Sequence, residues 1–386
     1  MQAALFAKGF RPFFVLAALY AVLVLPAWIL VHAGRIRVAS HLVPAMWHAH
    51  EMVFGFTVAV IAGFLLTAAS NWTQRPTATG GWLAALCVAW LAGRALPWLG
   101  DAVPREVAAA IQLSFLPLLT FAVGRVVLAA RSRRNYGLVA LLAALFGAQL
   151  AMHLGALGGS IRIQTAAPIV AVDLVVLVIL VIGGRIIPLF TRNATKAGDI
   201  RNVPWLDHAA IAAALAVAAA DAAGLFGWPL ALITGAAALA NGARMLRWGT
   251  RHALSEPLLW VLHAGYAFVP IGFALRAIAV FVPRVGSSAA LHALTIGAIG
   301  VLCLGMMTRV ALGHTGRPLE APRSLAIAFG LVISAALVRV IGAIVSGPVG
   351  RPSMHAAGGA WAIAFAIYLA RIGPSLFRPR PDGKPG

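Results

Sequence analysis

Acid, cysteine and tyrosine are scarce in this sequence, and each shortage excludes something. Only 10 of 386 residues are Asp or Glu against 30 Lys and Arg, and charged residues of both signs reach just 10%. Soluble domains carry about 25%, so this chain lacks the charge to clothe a water-facing surface. The two cysteines, Cys87 and Cys303, each lie mid-run in different apolar segments, which rules out a disulfide framework and a zinc knuckle. No Cys-x-x-Cys-His occurs, so any haem would be held without covalent attachment. A P-loop and a Gly-x-Gly-x-x-Gly after a strand are also missing, leaving nucleotide-driven transport and a Rossmann cofactor site without support.

What the chain has in abundance is apolar length: 61% of its residues are hydrophobic and the mean hydropathy is +0.92. About 20 apolar residues at 1.5 Å each cross ~30 Å of hydrocarbon, and windows of that length centre on 13–33, 44–70, 81–99, 106–130, 136–157, 167–190, 205–226, 228–247, 257–282, 288–312, 324–346 and 356–376. The runs are continuous instead of alternating, which favours helices over a barrel. The expectation is an all-α polytopic bundle of twelve spans, a single transmembrane domain over 1–386 with a disordered cytoplasmic tail at 377–386. The first run follows Lys8 and Arg11 but is longer than a signal h-region of about 7–15 residues, so it reads as a retained helix.

The net charge of +20 would point to nucleic acid in a soluble chain. Here the basic residues sort by loop instead, with fifteen (Lys8, Arg11, Arg75, Arg131, Arg133, Arg134, Arg192, Lys196, Arg201, Arg251, Arg317, Arg323, Arg378, Arg380, Lys384) on one side and six (Arg35, Arg37, Arg105, Arg162, Arg284, Arg351) on the other. By the positive-inside rule both termini are expected in the cytoplasm. The charge then reports orientation and contact with the lipid bilayer, and no nucleic-acid partner is expected.

Against that apolar background, Trp47-His48-Ala49-His50-Glu51-Met52 stands out, because imidazoles and carboxylates are costly in lipid and mark functional sites. Pro44 suits the first turn of its helix, which puts His48 and His50 roughly 6–9 Å inside the outer end. Ser287-Ser288 is a plausible N-cap for the tenth span and sets His292 at a matching depth. His153 and Asp173 share that level, so five polar groups from four helices can converge there. Ideal helical spacing puts His48, Glu51 and Met52 on one face and turns His50 away by about 200°. A pair so directed can serve one centre or two. A lone core histidine is more often bonded to a carbonyl, but the pair together with His292 favours ligation.

Other candidates are weaker. His263, with Tyr266 on its face and Pro270 beyond, fits a buried carbonyl-bonded residue as well as a ligand. His314, at a helix boundary, fits a solvated residue, and His32, His41, His208, His252 and His355 sit at ends or in loops with no role assigned. Cys303, Met306 and Met307 offer soft sulfur that would suit Cu(I), but ordinary membrane packing is the favoured reading. Polar ends at Ser70-Asn71-Trp72-Thr73, Thr191-Arg192-Asn193 and Thr308-Arg309 recur every four helices and hint at three four-helix units.

Several motifs taken in order resemble the NnrS family. They are Gly9-Phe10-Arg11-Pro12-Phe13-Phe14, Trp47 to Met52 with Phe54-Gly55, Ala62 to Ala68, Asn71-Trp72-Thr73, Arg185 to Asn193, and His292-Ala293-Leu294-Thr295 through Met307-Thr308-Arg309 to Gly313-His314-Thr315-Gly316-Arg317-Pro318. One departure is Ala69-Ser70, where the family pattern has Val-Pro. The resemblance implies a twelve-helix protein of the bacterial inner membrane that contains haem b and copper and acts in nitric oxide metabolism and nitrosative-stress resistance or denitrification. Carried over, it makes His48, His50, His263 and His292 cofactor-binding residues and adds His314 as a further metal ligand, with Glu51 the catalytic, proton-handling group. The implied function is binding of nitric oxide and, with quinol as a candidate donor, its reduction. Two other classes fit the residues: a proton-coupled secondary transporter without haem, whose helices would be interrupted at Pro26, Pro188 and Pro270, and a non-catalytic haem-holding sensor or assembly partner.

Overall fold

The computed structural model describes residues 4–99, 102–346 and 350–383. They form a helical protein without strands among the described residues. The long helices are α1 (Phe10–His32), α2 (Pro44–Thr73), α3 (Gly80–Ala95), α4 (Arg105–Ala129), α5 (Tyr136–Leu157), α6 (Ile161–Thr195), α7 (Pro204–Ala222), α8 (Trp228–Met245), α9 (Pro257–Phe281), α10 (Gly286–His314), α11 (Arg323–Ser346) and α12 (Arg351–Phe377). Each expected span is helical. Eleven are long and apolar enough to cross a membrane; α8, 18 residues with Asn241 and Arg244 in its second half, is not among them.

The chain divides into two compact units: residues 1–171, 307–319 and 368–386, and residues 172–306 and 320–367. In the first, α1 and α2 pack closely because Gly63 has no side chain: a Cβ there would sit 2.8 Å from the Phe14 ring. Trp90 Nε1 donates to Gly55 O at 3.1 Å, tying α3 to the same helix. In the second, Gly305 admits Val261 and Leu262, and Gly297 admits Phe268, so α9 and α10 pack with the same device.

Helix starts follow the sequence where proline marks them. Pro44 and Pro257 each occupy the first turn, where the missing N–H costs nothing. α10, however, begins at Gly286, so Ser287 and Ser288 lie inside it and do not cap it. Helices continue through Pro26, Pro188 and Pro270 without a break, unlike the interrupted helices of the transporter reading. Without the expected Val-Pro, α2 runs on to Thr73, ending with Gln74 left-handed at φ 53°.

Two π-helical stretches, Glu51–Thr57 and Ala293–Gly300, interrupt α2 and α10. Such wide turns are rare and concentrate at functional sites. Each begins directly after a histidine, His50 or His292, and each sequence reads His-x4-Gly-x7-Gly: Gly55 and Gly63 in one, Gly297 and Gly305 in the other. α6 has no such turn, so the feature recurs in two hairpins, α1–α2 and α9–α10.

Candidate functional site

Ideal periodicity pairs His48 with Glu51, but the Glu51 carboxylate meets the neighbouring residue instead: His50 Nδ1 lies 2.7 Å from Glu51 Oε1, both side chains fully buried. The other carboxylate oxygen takes the Tyr20 hydroxyl and lies 3.2 Å from Arg94 Nη1. A buried carboxylate needs this much company, since an unpaired charge would be costly to desolvate. His48 points elsewhere and stacks on Trp28, with centroids 4.5 Å apart and planes 12° from parallel. The opposed directions expected of the pair are therefore realised.

With Glu51 ionised between Arg94 and Tyr20, Nδ1 of His50 carries the proton and Nε2 the lone pair. That Nε2 lies 3.2 Å from His153 Nε2 and 3.1 Å from Gln149 Nε2. His153 Nδ1 is in turn 2.7 Å from Nε2 of His41, in the loop before α2. One consistent assignment has every N–H pointing inward, from His41 to His153 to His50 to Glu51. Burial pushes the pKa of His41 below the ordinary histidine range, and the His50 ring adds to the effect, which keeps His41 neutral at pH 7.

Gln149 also donates to Gln112 O at 3.1 Å, while its Oε1 has no hydrogen-bond partner among the described residues. Beside it lies a small cleft bounded by Phe54, Trp90, Arg94, Gln112, Phe115 and Gln149, with room for about one water molecule and none for a haem.

The second unit holds His263 and His292. Thr191 donates its hydroxyl to Ile187 O, so it accepts from His263 Nε2 at 2.9 Å, and Thr250 fills Nδ1 at 3.0 Å. Both nitrogens of His263 are engaged. His292 Nδ1 lies 2.7 Å from Ser288 O; a carbonyl only accepts, so the lone pair sits on Nε2. Asp173 is in this unit too, paired with Arg276 at 3.0 Å, and Arg276 also binds Asp221. In the first unit, the His314 ring lies against Phe10, centroids 5.6 Å apart.

Fit to the implied metals differs. Among the described residues no three His, Cys, Asp or Glu side chains form a metal-holding group; the site offers two imidazoles and an orphaned amide oxygen. Two nitrogens on one ion, at bonds of about 2.0 Å, cannot be more than about 4 Å apart, and the 3.2 Å between His50 and His153 satisfies that limit. The carboxylate on Nδ1 is the usual support of a ligating histidine. The pair therefore meets the distance limit for a shared ion, with no third side chain of these types joining it among the described residues. For haem, His292 offers the lone pair of Nε2.

Sequence reasoning placed His153 at the right depth without making it a ligand, and assigned His41 no role. Arg94 was the available signal, a charge inside the apolar run Leu91-Ala92-Gly93-Arg94-Ala95.

Eleven membrane-length helices and a buried imidazole, carboxylate and guanidinium network define a polytopic helical membrane protein with a polar site inside its apolar body. The family model described as NnrS protein matches residues 4–380, so the chain belongs to the NnrS family. No curated protein matches it.

Proposed function

We propose that this protein binds nitric oxide at a copper held by His50 and His153 within the membrane, with reduction of nitric oxide as the further step the site would support. The observation that carries the reading is His50, clamped by Glu51 at Nδ1 and facing His153 with Nε2 beside a small cleft. Bound copper would supply a coordination position for nitric oxide and one-electron chemistry. The protein's own groups do the rest. Glu51 fixes the His50 tautomer, Arg94 and Tyr20 hold Glu51, and His41 with His153 links the α1–α2 loop to the buried imidazole.

A haem b, the second cofactor of this reading, would be held by His292 through Nε2 and would supply redox chemistry when bound. His48, His263 and His314 remain candidate ligands carried by the family pattern. With α8 as the eighth of twelve spans both termini share one side, and the loop charges make that side the cytoplasm of a bacterial inner membrane, with quinol as electron donor.

The ion pairs of Arg276 with the buried Asp173 and the partly buried Asp221 in the second unit favour one alternative: a proton-coupled transporter without haem. Metal analysis and pyridine haemochrome on the detergent-purified protein separate the two. Copper and haem in whole-number ratio to the chain, with an optical change on adding nitric oxide anaerobically, is the expected result. A colourless, metal-free preparation excludes both the nitric oxide reading and that of a haem-holding sensor or assembly partner. Haem or copper without any response to nitric oxide leaves the sensor or assembly role.

A further inference from the structure

Arg11 is almost completely buried, with 1% of its surface exposed, one residue into α1. Its Nη1 donates to Leu376 O at 2.9 Å and Arg378 O at 2.7 Å, carbonyls at the end of α12. The last carbonyls of a helix lack internal partners and carry its negative dipole end, so a guanidinium is well matched to them. Arg380 does the same for α10, donating to His314 O at 3.1 Å, and its side chain lies close over Gly316, where a Cβ would be 3.4 Å away. Arg317 folds back on Thr315 O at 3.4 Å. These contacts, all within the first unit, knit the start of α1, the end of α10 and the tail after α12 into one surface.

That surface is strongly unbalanced in charge. Lys8, Arg11, Arg317 and Arg380 face one described carboxylate, Asp382, which Arg380 already engages with two bonds at 2.8 and 2.6 Å. The other described acids of the unit are elsewhere: Glu51 is bound to His50 and Arg94, and Glu106 opens α4. Among the described residues neither Lys8 nor Arg317 has an ion-pair partner, and the buried Nε of Arg11 has no hydrogen-bond acceptor. The pKa of Lys8 is lowered by burial and then by repulsion from Arg380 and Arg11, so the cations feel one another.

We propose that Lys8 and Arg317, framed by Arg11 and Arg380, form a binding site for a phosphate-bearing anion, and that the occupant is the headgroup of an anionic phospholipid. The site lies at the ends of three membrane-length helices, where headgroups are found, and basic pockets between such helices are suited to anionic headgroups. Arg11 and Arg380 build the site through their carbonyl bonds; Lys8 and Arg317 are left to meet the ligand.

The test uses the full chain purified in neutral detergent, with native mass spectrometry against phosphatidylglycerol, phosphatidylcholine and inorganic phosphate. Phosphatidylglycerol should be retained over phosphatidylcholine, with affinity falling roughly thirtyfold in Lys8→Gln/Arg317→Gln, the order expected for two basic residues near an anionic headgroup. The double variant Arg131→Gln/Arg133→Gln removes equal charge from another loop and should leave retention unchanged. Binding of inorganic phosphate that is lost in the first double variant, without lipid retention, keeps the anion site and replaces the lipid as its occupant. Equal losses in the two double variants, or no loss in the first, overturn the proposal, and thermal melts of both confirm that the comparison is between folded proteins.

Discussion

His50 Nε2 lies 3.2 Å from His153 Nε2 while the opposite nitrogen of the same ring lies 2.7 Å from Glu51. The two histidines are 103 residues apart in the chain, on α2 and α5. A ring held at one nitrogen by a buried carboxylate, with the lone pair of the other turned to a second imidazole and the Gln149 amide, is arranged to ligate when an ion takes the place of those hydrogen bonds.

Copper content should track this pair. His50→Ala and His153→Ala are expected to lose copper stoichiometrically by elemental analysis. Glu51→Gln should retain it with about 10–100-fold lower affinity, the usual cost of removing a ligand's supporting partner. Undiminished copper in both alanine variants would sink the assignment.

His263 should behave differently, since Thr191 and Thr250 occupy both its nitrogens. His263→Ala leaves two hydroxyls without their partner and is expected to cost about 1–3 kcal/mol of stability. Copper content should be unchanged, and loss of copper from an otherwise stable variant would make His263 a ligand.

Copper removal should lower thermal stability. A ligand present at 100 times its dissociation constant stabilises by about 2.7 kcal/mol, so a copper chelator should reduce the midpoint of wild type. The His50→Ala variant should show no such response.

Gly183 and Gly184 are adjacent on α6 and should respond oppositely to alanine. A Cβ at Gly184 would overlap the Arg244 guanidinium, whereas one at Gly183 meets Ile187 at an ordinary 3.4 Å. Arg244 is buried and binds Asp207 at 2.6 Å and Leu180 O at 3.1 Å. Displacing it breaks a largely buried ion pair, a loss of about 3–5 kcal/mol. Gly184→Ala should therefore express poorly or melt early, and Gly183→Ala should resemble wild type.

The exposed Asp199 supplies a pH dependence. Hydrogen bonds from His252 and then Arg251 hold its carboxyl below the usual carboxylate range. A depressed folded pKa means stabilisation that is complete above the ordinary carboxylate value and lost as pH falls through the folded one. Proteolysis between 196 and 203 should accelerate on acidification across that window. Asp199→Asn should be cleaved at the faster rate already at pH 7, with a flatter pH profile.

Composition and local pattern determined the helices by themselves. Apolar runs of membrane length leave backbone groups no solvent partner, so they must bond internally, and prolines at 44 and 257 set two helix starts because their missing N–H is harmless there. The cost of His50 and Glu51 in an apolar run was legible for the same energetic reason. Tertiary structure decided who meets whom. Glu51 bonds its chain neighbour His50 and not His48, which helical spacing alone does not foresee. His153, His41 and Arg94 reach the site only because α3, α5 and the α1–α2 loop pack around α2. Such partnerships depend on the whole folded unit, where each buried polar group must find a complement, and no local spacing encodes them.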